Sequence, residues 1–258
     1  MDSILFEQKD TLGYLTLNRP EQRNALSLTL MQEMQTQLNQ IKKNKEIKVL
    51  IIKGNGPVFC SGHDIKELVY KKDDIHYFRK IFSICSDLMQ TLHQLPQPVI
   101  AQVHGVATAA GCQLVAACDL AIAAQDTQFA TPGVKIGLFC STPMVPLSRV
   151  IGRRRALEML LTGDFISATE AERYGLINKV VPESALEQET ETLARHIARH
   201  SFFTIAFGKK TFYHQINQNE HSAYHCATEA MAINSLAEDA QEGMKALLEK
   251  RKPIWKNR

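Results

Sequence analysis

Residues 99–123 read VIAQVHGVATAAGCQLVAACDLAIA, and this stretch decides the fold. Val99-Ile100-Ala101-Gln102-Val103 is a short run of strand formers, and Pro96 and Pro98 just before it stop any helix that precedes it. A turn of small residues (Gly105, Ala107, Ala109, Ala110, Gly111) then opens a helix toward Ala117, and Asp119-Leu120-Ala121-Ile122-Ala123 follows as a second strand. Strand, helix, strand in such close succession predicts a βαβ unit with a right-handed crossover, the building block of an α/β domain.

Upstream the same alternation holds. Ile4, Phe6, Leu12, Tyr14, Leu15 and Leu17 alternate in strand fashion until Asn18-Arg19-Pro20, which predicts an N-terminal hairpin. Ser27 caps a helix whose Met31, Met34, Leu38 and Ile41 recur at steps of three and four. Val49-Leu50-Ile51-Ile52 has the uninterrupted apolar pattern of a strand covered on both faces, and it feeds a Gly-rich loop from Gly54 to Gly62. Phe78, Ile81, Cys85, Leu88, Leu92 and Leu95 mark one face of the next helix. Beyond Thr142 the strand signal nearly vanishes except at 177–181, and helical patterns follow one another at 156–161, 168–174, 185–198, 203–216, 223–232 and 237–249. The expected organisation is an α/β core over 1–195 and a C-terminal helical region over 196–258.

The 258 residues are 45% hydrophobic, enough for one sizeable core, and 30 basic against 27 acidic side chains are spread along the chain. A net charge of +3 without a basic block argues against nucleic acid as a partner. The longest apolar run, around Val106 to Ala124, is broken by Gly111, Gln113 and Asp119, so no membrane span is expected. Nothing before Ile4 resembles a secretory signal. The expected location is therefore cytoplasmic, or the mitochondrial matrix for a processed eukaryotic protein. The six cysteines form no CxxC pair and are read as reduced core residues. His221 and His225 share a helical face, but no acidic HExxH partner or cysteine cluster completes a metal site, so no metal is expected.

Three segments carry a resemblance: Asn18-Arg19-Pro20 through Asn24-Ala25-Leu26, Phe59-Cys60-Ser61-Gly62-His63-Asp64-Ile65-Lys66-Glu67-Leu68, and His104-Gly105 through Gly111-Cys112-Gln113-Leu114. With Cys118-Asp119, Phe129, Gly137, Leu161-Thr162-Gly163-Asp164 and the tail from Glu242 to Lys252 in the same order, the chain resembles the enoyl-CoA hydratase/isomerase, or crotonase, superfamily over its whole length. Residues 107–115 and 137–143 resemble most the third subgroup of enoyl-CoA hydratase domain-containing proteins. The resemblance implies a crotonase spiral of ββα and βαβ units, a homotrimer or hexamer built on the C-terminal helices, and an acyl-CoA thioester as ligand. It implies no cofactor, coenzyme A being part of the substrate.

A thioester carbonyl that becomes an enolate places negative charge on oxygen, and two preorganised backbone N–H donors stabilise it. By resemblance those donors are the amides of His63 and Ala110, the latter at a helix N-terminus whose dipole adds positive character. The His63 side chain is left with two roles, an acid or base near neutral pH or a ring turned to solvent. Asp64 is expected to cap a short helix over 65–68. By resemblance, Ser61, Asp64 and Ile65 meet the adenine through their backbone, Asn24 and Ala25 lie near the pantetheine or ribose, and Arg23, Lys252 and Lys256 meet the phosphates.

Hydratases of this superfamily carry two glutamates for the water and its proton, and the matching positions here hold Gln113 and Gly133. Neither can exchange a proton near pH 7, and general acid/base catalysis commonly contributes ~10²- to 10⁴-fold. Ordinary hydratase activity is therefore not expected, and writing glutamate back at both positions is expected to restore it in part. By resemblance, Cys140, Lys135, His63, Glu67 and His104 are the remaining titratable groups in or beside the loops that line the acyl pocket. Cys140 stands where a related decarboxylase has a tyrosine, as a pocket residue or as a small buried thiol. A residual enzyme working by enolate stabilisation, a decarboxylase-like enzyme and a catalytically silent acyl-CoA-binding protein stay as alternatives.

Overall fold

A computed structural model describes residues 2–258. Its main sheet has six strands in the order β1 (Ile4–Lys9), β2 (Leu12–Leu17), β3 (Val49–Gly54), β4 (Val99–Val103), β6 (Leu120–Ala124), β9 (Lys179–Val181), all parallel from β2 onward, with β1 antiparallel to β2. The hairpin and the βαβ units are where the hydrophobic pattern places them. Between the strands run α1 (Leu28–Lys43), α2 (Ile65–Tyr70), α3 (Ile75–Gln94) and α4 (Ala110–Ala117). Ser27 caps α1 by accepting the Leu30 N–H at 3.2 Å.

The side chains of β2 and β3 are buried on both faces because helices cover both. Leu15, Leu17, Leu50 and Ile52 join a core with Met31, Met34, Leu38, Ile81, Cys85 and Leu88 from α1 and α3. The alternate residues Leu12, Tyr14, Val49 and Ile51 pack with Ala194 and Ala198 of α8 (Leu186–Ala198) on the opposite face. α8 therefore belongs to the core and runs unbroken through positions 195 and 196, so the helical layer that stands apart begins at α9 (Phe202–Gln215).

Two features differ from the sequence expectation. The small-residue turn before α4 contains a strand, β5 (Val106–Thr108), which pairs in parallel with β7 (Gln128–Ala130), itself antiparallel to β8 (Ile166–Ser167), to form a second, three-stranded sheet. Strands of two and three residues carry too little alternation to be legible. The helix α5 (Met144–Val150) is not among the expected helices, and Pro143 at its N-cap and Pro146 in its first turn stand where proline is tolerated. Next come α6 (Gly152–Thr162) and α7 (Ala168–Tyr174), and after α9 come α10 (Glu220–Ser235) and α11 (Glu238–Leu248). The α9 layer is pinned to the sheet by Lys209, whose ammonium donates to Asp119 at 2.6 Å and to the carbonyls of Leu92 and Gln97. Tyr213 donates to the other Asp119 oxygen at 2.7 Å.

Candidate functional site

The site is built where the loop 60–65 crosses the start of α4. Cys60 pairs with the β5 backbone, donating to Val106 and accepting from Thr108, and this ties the loop to the second sheet. Two residues on, the Gly62 carbonyl accepts from Leu26 at 2.7 Å and the Asp64 N–H donates to the Leu26 carbonyl at 3.3 Å. In that parallel pairing the intervening residue turns its own amide the other way, so the His63 N–H points away from Leu26. Among the described residues nothing accepts it.

Gly62 has φ +97°, and a methyl group there would lie 2.9 Å from the Ala109 side chain and 3.3 Å from the Ala110 nitrogen. No side chain fits, which is why the loop can press against the first turn of α4. Ala110 is the first residue of that helix, so its N–H has no intrahelical acceptor, and Ala109 before it sits at φ 50°. Two free amide donors from two loops are thus brought into one place. That arrangement can hold an anionic or strongly polarised oxygen.

Arg19 ties this loop to its neighbour, and sequence reasoning missed it. Its guanidinium donates to the Ala25 carbonyl at 2.8 Å and to Asp64 at 3.1 Å. The other Asp64 oxygen accepts the Lys66 N–H at 3.1 Å and so caps α2 as expected, although α2 continues to Tyr70. The Asp64 side chain is fully used inside the protein. The same holds for Asn24, which is wholly buried, donates to the Asn55 and Val58 carbonyls and accepts from the Arg19 N–H. Asn24 also donates its backbone N–H to the Arg19 carbonyl at 2.9 Å and offers a ligand no exposed group, and Ala25 is 7% exposed. Ser61 donates its N–H to the Arg23 carbonyl at 3.1 Å, while the Arg23 and Ile65 side chains are exposed.

The two tail lysines stand on the C-terminal layer. Lys256 pairs with Glu238 at 3.2 Å and its N–H donates to buried Asp239, and Lys252 is exposed. Among the described residues no hydrogen bond links either to residues 23–25 or 61–65. A groove of about 450 Å³ beside α2 is lined by Lys66, Tyr70, Lys71 and Tyr77. A larger one of about 680 Å³, between β1 and α1, holds none of the candidate residues.

Gln113 lies on α4 one turn after Ala110, 3% exposed, with its Oε1 4.0 Å from the Cys85 thiol. Gly133 cannot carry a larger residue as it stands. A methyl group there would lie 2.8 Å from the Cys140 sulfur and collide with the Leu138 carbonyl oxygen. This corrects the expectation that glutamate can be written back at 133. Cys140 is 8% exposed, and burial raises its thiol pKa against an opposing hydrogen bond from the Gly133 backbone. Of the other titratable candidates, Lys135 pairs with Asp164 at 2.7 Å and Glu67 accepts from the Leu28 N–H and the Tyr77 hydroxyl. His104 contacts the Gly56 carbonyl at 2.8 Å. His63 is half-buried: its ring nitrogens are sealed from solvent, the ring packs edge-on against Phe82, and burial lowers its pKa to about 4. The ring is therefore neutral near pH 7.

Among the described residues, no group of three His, Cys, Asp or Glu side chains could hold a metal ion, and no helix is long and apolar enough to cross a membrane. All six cysteines are free.

The family model described as enoyl-CoA hydratase/isomerase matches residues 7–258. The chain is 48% identical over 248 residues to the mouse protein named enoyl-CoA hydratase domain-containing protein 3, mitochondrial, an alignment covering 96% of this chain and 82% of that one. A crystal structure of the human protein of that name superimposes with a TM-score of 0.95 at 47% identity, covering 98% of this chain and 100% of that one. An enoyl-CoA hydratase from Mycobacterium smegmatis superimposes with a TM-score of 0.96 at 43% identity over 98% of both chains. The fold is that of these crotonases, ββα and βαβ units followed by a helical C-terminal region. On the match of nearly its whole length to the family model and to these relatives, the chain belongs to the enoyl-CoA hydratase/isomerase family, close to the subgroup of enoyl-CoA hydratase domain-containing protein 3.

Proposed function

We propose that this protein binds acyl-CoA thioesters and stabilises a thioester enolate between the amides of His63 and Ala110, without ordinary hydratase activity. The observation that carries the reading is the contact of Gly62 with Ala109 and Ala110, which gathers two unbonded N–H groups from separate loops. Such donors act on charge as it develops and need no reorganisation, and they supply several kcal/mol to an enolate. The loops held by Arg19 place Ala25, Ser61, Asp64 and Ile65 beside the coenzyme, with the Ile65 N–H at the start of α2 left for it, while buried Asn24 acts from beneath by fixing the loop. Arg23 supplies positive charge for its phosphates, and Lys66 and Lys71 in the adjoining groove do the same. Lys252 and Lys256 would serve the phosphates only where the assembled protein brings a tail to the site.

Hydration is excluded from the reading on chemical grounds. Gln113 holds its proton and Gly133 has no side chain, so the site lacks the pair that activates water and protonates carbon. The same lack favours a second reading, a silent acyl-CoA-binding protein. It also suits decarboxylation, where CO₂ departs, leaves the electrons behind and needs no base.

The working form is proposed as a homotrimer or hexamer. α10 buries no residue within the subunit, and Phe212, Ile216, Met231, Leu236, Leu247 and Leu248 across α9 to α11 are all at least half exposed. So continuous an apolar surface calls for a partner, and a second copy supplies it symmetrically. The vertebrate relatives are mitochondrial by name, which supports the matrix over the cytoplasm for a eukaryotic source. Titration calorimetry with acetyl-, crotonyl- and malonyl-CoA, followed by mass spectrometry for turnover, tests the reading. Saturable binding supports it, product formation from malonyl-CoA alone identifies the decarboxylase, and no binding at millimolar ligand removes it.

A further inference from the structure

We infer that the His63 side chain, backed by Phe82 and Phe78, sets the length of the acyl group and restricts the site to short-chain thioesters. The inference rests on the acyl-thioester reading above and adds the substrate class. His63 carries the amide assigned to the thioester oxygen, so an acyl chain leaving that carbonyl starts beside its ring. The ring meets Phe82 edge-on, with centroids 5.2 Å apart and planes at 80°. Phe82 in turn stacks on Phe78, one turn earlier on α3, at 6.4 Å. One turn later on the same helix Cys85 touches Gln113, itself 3% exposed. The α3 face therefore roofs the ground between the two amide-bearing loops, and the three rings close one end of it.

Both His63 ring nitrogens are sealed from solvent, and the nearest polar group, the Leu26 backbone, opposes the lowering of the ring's pKa without making a well-formed hydrogen bond. Two unpaired polar atoms in an apolar wall are unfavourable for folding, so stability is not what the imidazole serves there. Its burial keeps the ring neutral, with a pKa of about 4, and the wall presents no charge to an acyl group near pH 7.

The test is calorimetric titration of the whole protein with acetyl-, butyryl- and decanoyl-CoA, repeated for His63→Ala and Phe82→Ala. His63→Ala keeps the backbone N–H, and Phe82→Ala opens the wall from α3 without touching the loop. Wild type should bind the two short esters and bind decanoyl-CoA at least about 10-fold more weakly, a steric rejection, while each variant should narrow that ratio by about fivefold or more. Equal affinity of wild type for decanoyl- and acetyl-CoA, or an unchanged ratio in both variants, overturns the inference and leaves the acyl-thioester reading standing. No binding of any of the three esters overturns both.

Discussion

The Cys140 sulfur stands 2.8 Å from the point where a side chain on Gly133 would begin. The two residues form a pair: the glycine leaves room for the thiol and for the Leu138 carbonyl, whose own N–H donates back to the Gly133 carbonyl at 2.9 Å. A carboxylate at 133 is excluded by this packing as well as missing from the sequence. Gly133→Ala should therefore destabilise the protein by about 1–3 kcal/mol through overpacking against backbone that cannot swing aside. Urea unfolding measures it, and an unchanged midpoint would show that the 138–140 loop gives way.

The packing also decides the outcome of restoring the family glutamates. Gln113→Glu with Gly133→Glu should give a destabilised protein with no crotonyl-CoA hydration above background, because the second carboxylate cannot enter the pocket without displacing the loop. Adding Cys140→Ala removes one of the two obstacles and leaves the Leu138 carbonyl. A stable double variant that hydrates crotonyl-CoA would contradict the placement of Gly133.

The buried imidazole should be visible in stability against pH. The His63 pKa is about 4 in the folded chain and about 6.5 in a free histidine, so between these values the unfolded chain holds more protons. Stability should then fall as pH drops from about 6.5 to about 4, by about 3 kcal/mol at most. Chemical unfolding across that range should show a shallower slope for His63→Ala than for wild type. Equal slopes would mean that the ring is not buried as described.

Lys209 makes a second stability prediction. Lys209→Met leaves half-buried Asp119 with the Val99 N–H and the Tyr213 hydroxyl but no cation, and because both partners keep some exposure the loss should fall below the ~3–5 kcal/mol of a fully buried pair. The loss should appear in urea unfolding and should exceed that of Lys256→Met, whose pair with Glu238 is exposed. Similar small losses for both would show that α9 is held by its apolar contacts alone.

The exposed faces of α9 to α11 should be covered in solution. Light scattering at micromolar concentration should give three or six times the 29.0 kDa subunit mass. A single 29.0 kDa species would leave those faces unexplained.

The order of the main-sheet elements was legible because each strand and helix carried its own period: Met31, Met34, Leu38 and Ile41 for α1, Val49 to Ile52 for a strand covered twice. Alternation needs length, and β5, β7 and β8 have three, three and two residues, so the second sheet that anchors Cys60 left no signal. The close approach of the two loops shows in the sequence as small residues at 62 and at 109–111, while the donor role of the His63 and Ala110 amides came from the resemblance alone. Side-chain roles were only partly readable. The Asp64 cap follows from its place before a helical turn, but nothing in the sequence shows that Arg19 takes its other oxygen or that Asn24 is spent on Arg19 and neighbouring backbone. Arg19 looked like the end of a strand because its acidic partner lies 45 residues on.

The central claim, that the amides of His63 and Ala110 grip a thioester oxygen, is tested most directly by comparing acetyl-CoA with its ethyl thioether, which lacks only that oxygen. Two preorganised donors should make acetyl-CoA the tighter ligand by about 10-fold or more in calorimetric titration, each hydrogen bond contributing about 0.5–1.5 kcal/mol. Equal affinities for thioester and thioether would show that the carbonyl oxygen is not held and would contradict the account.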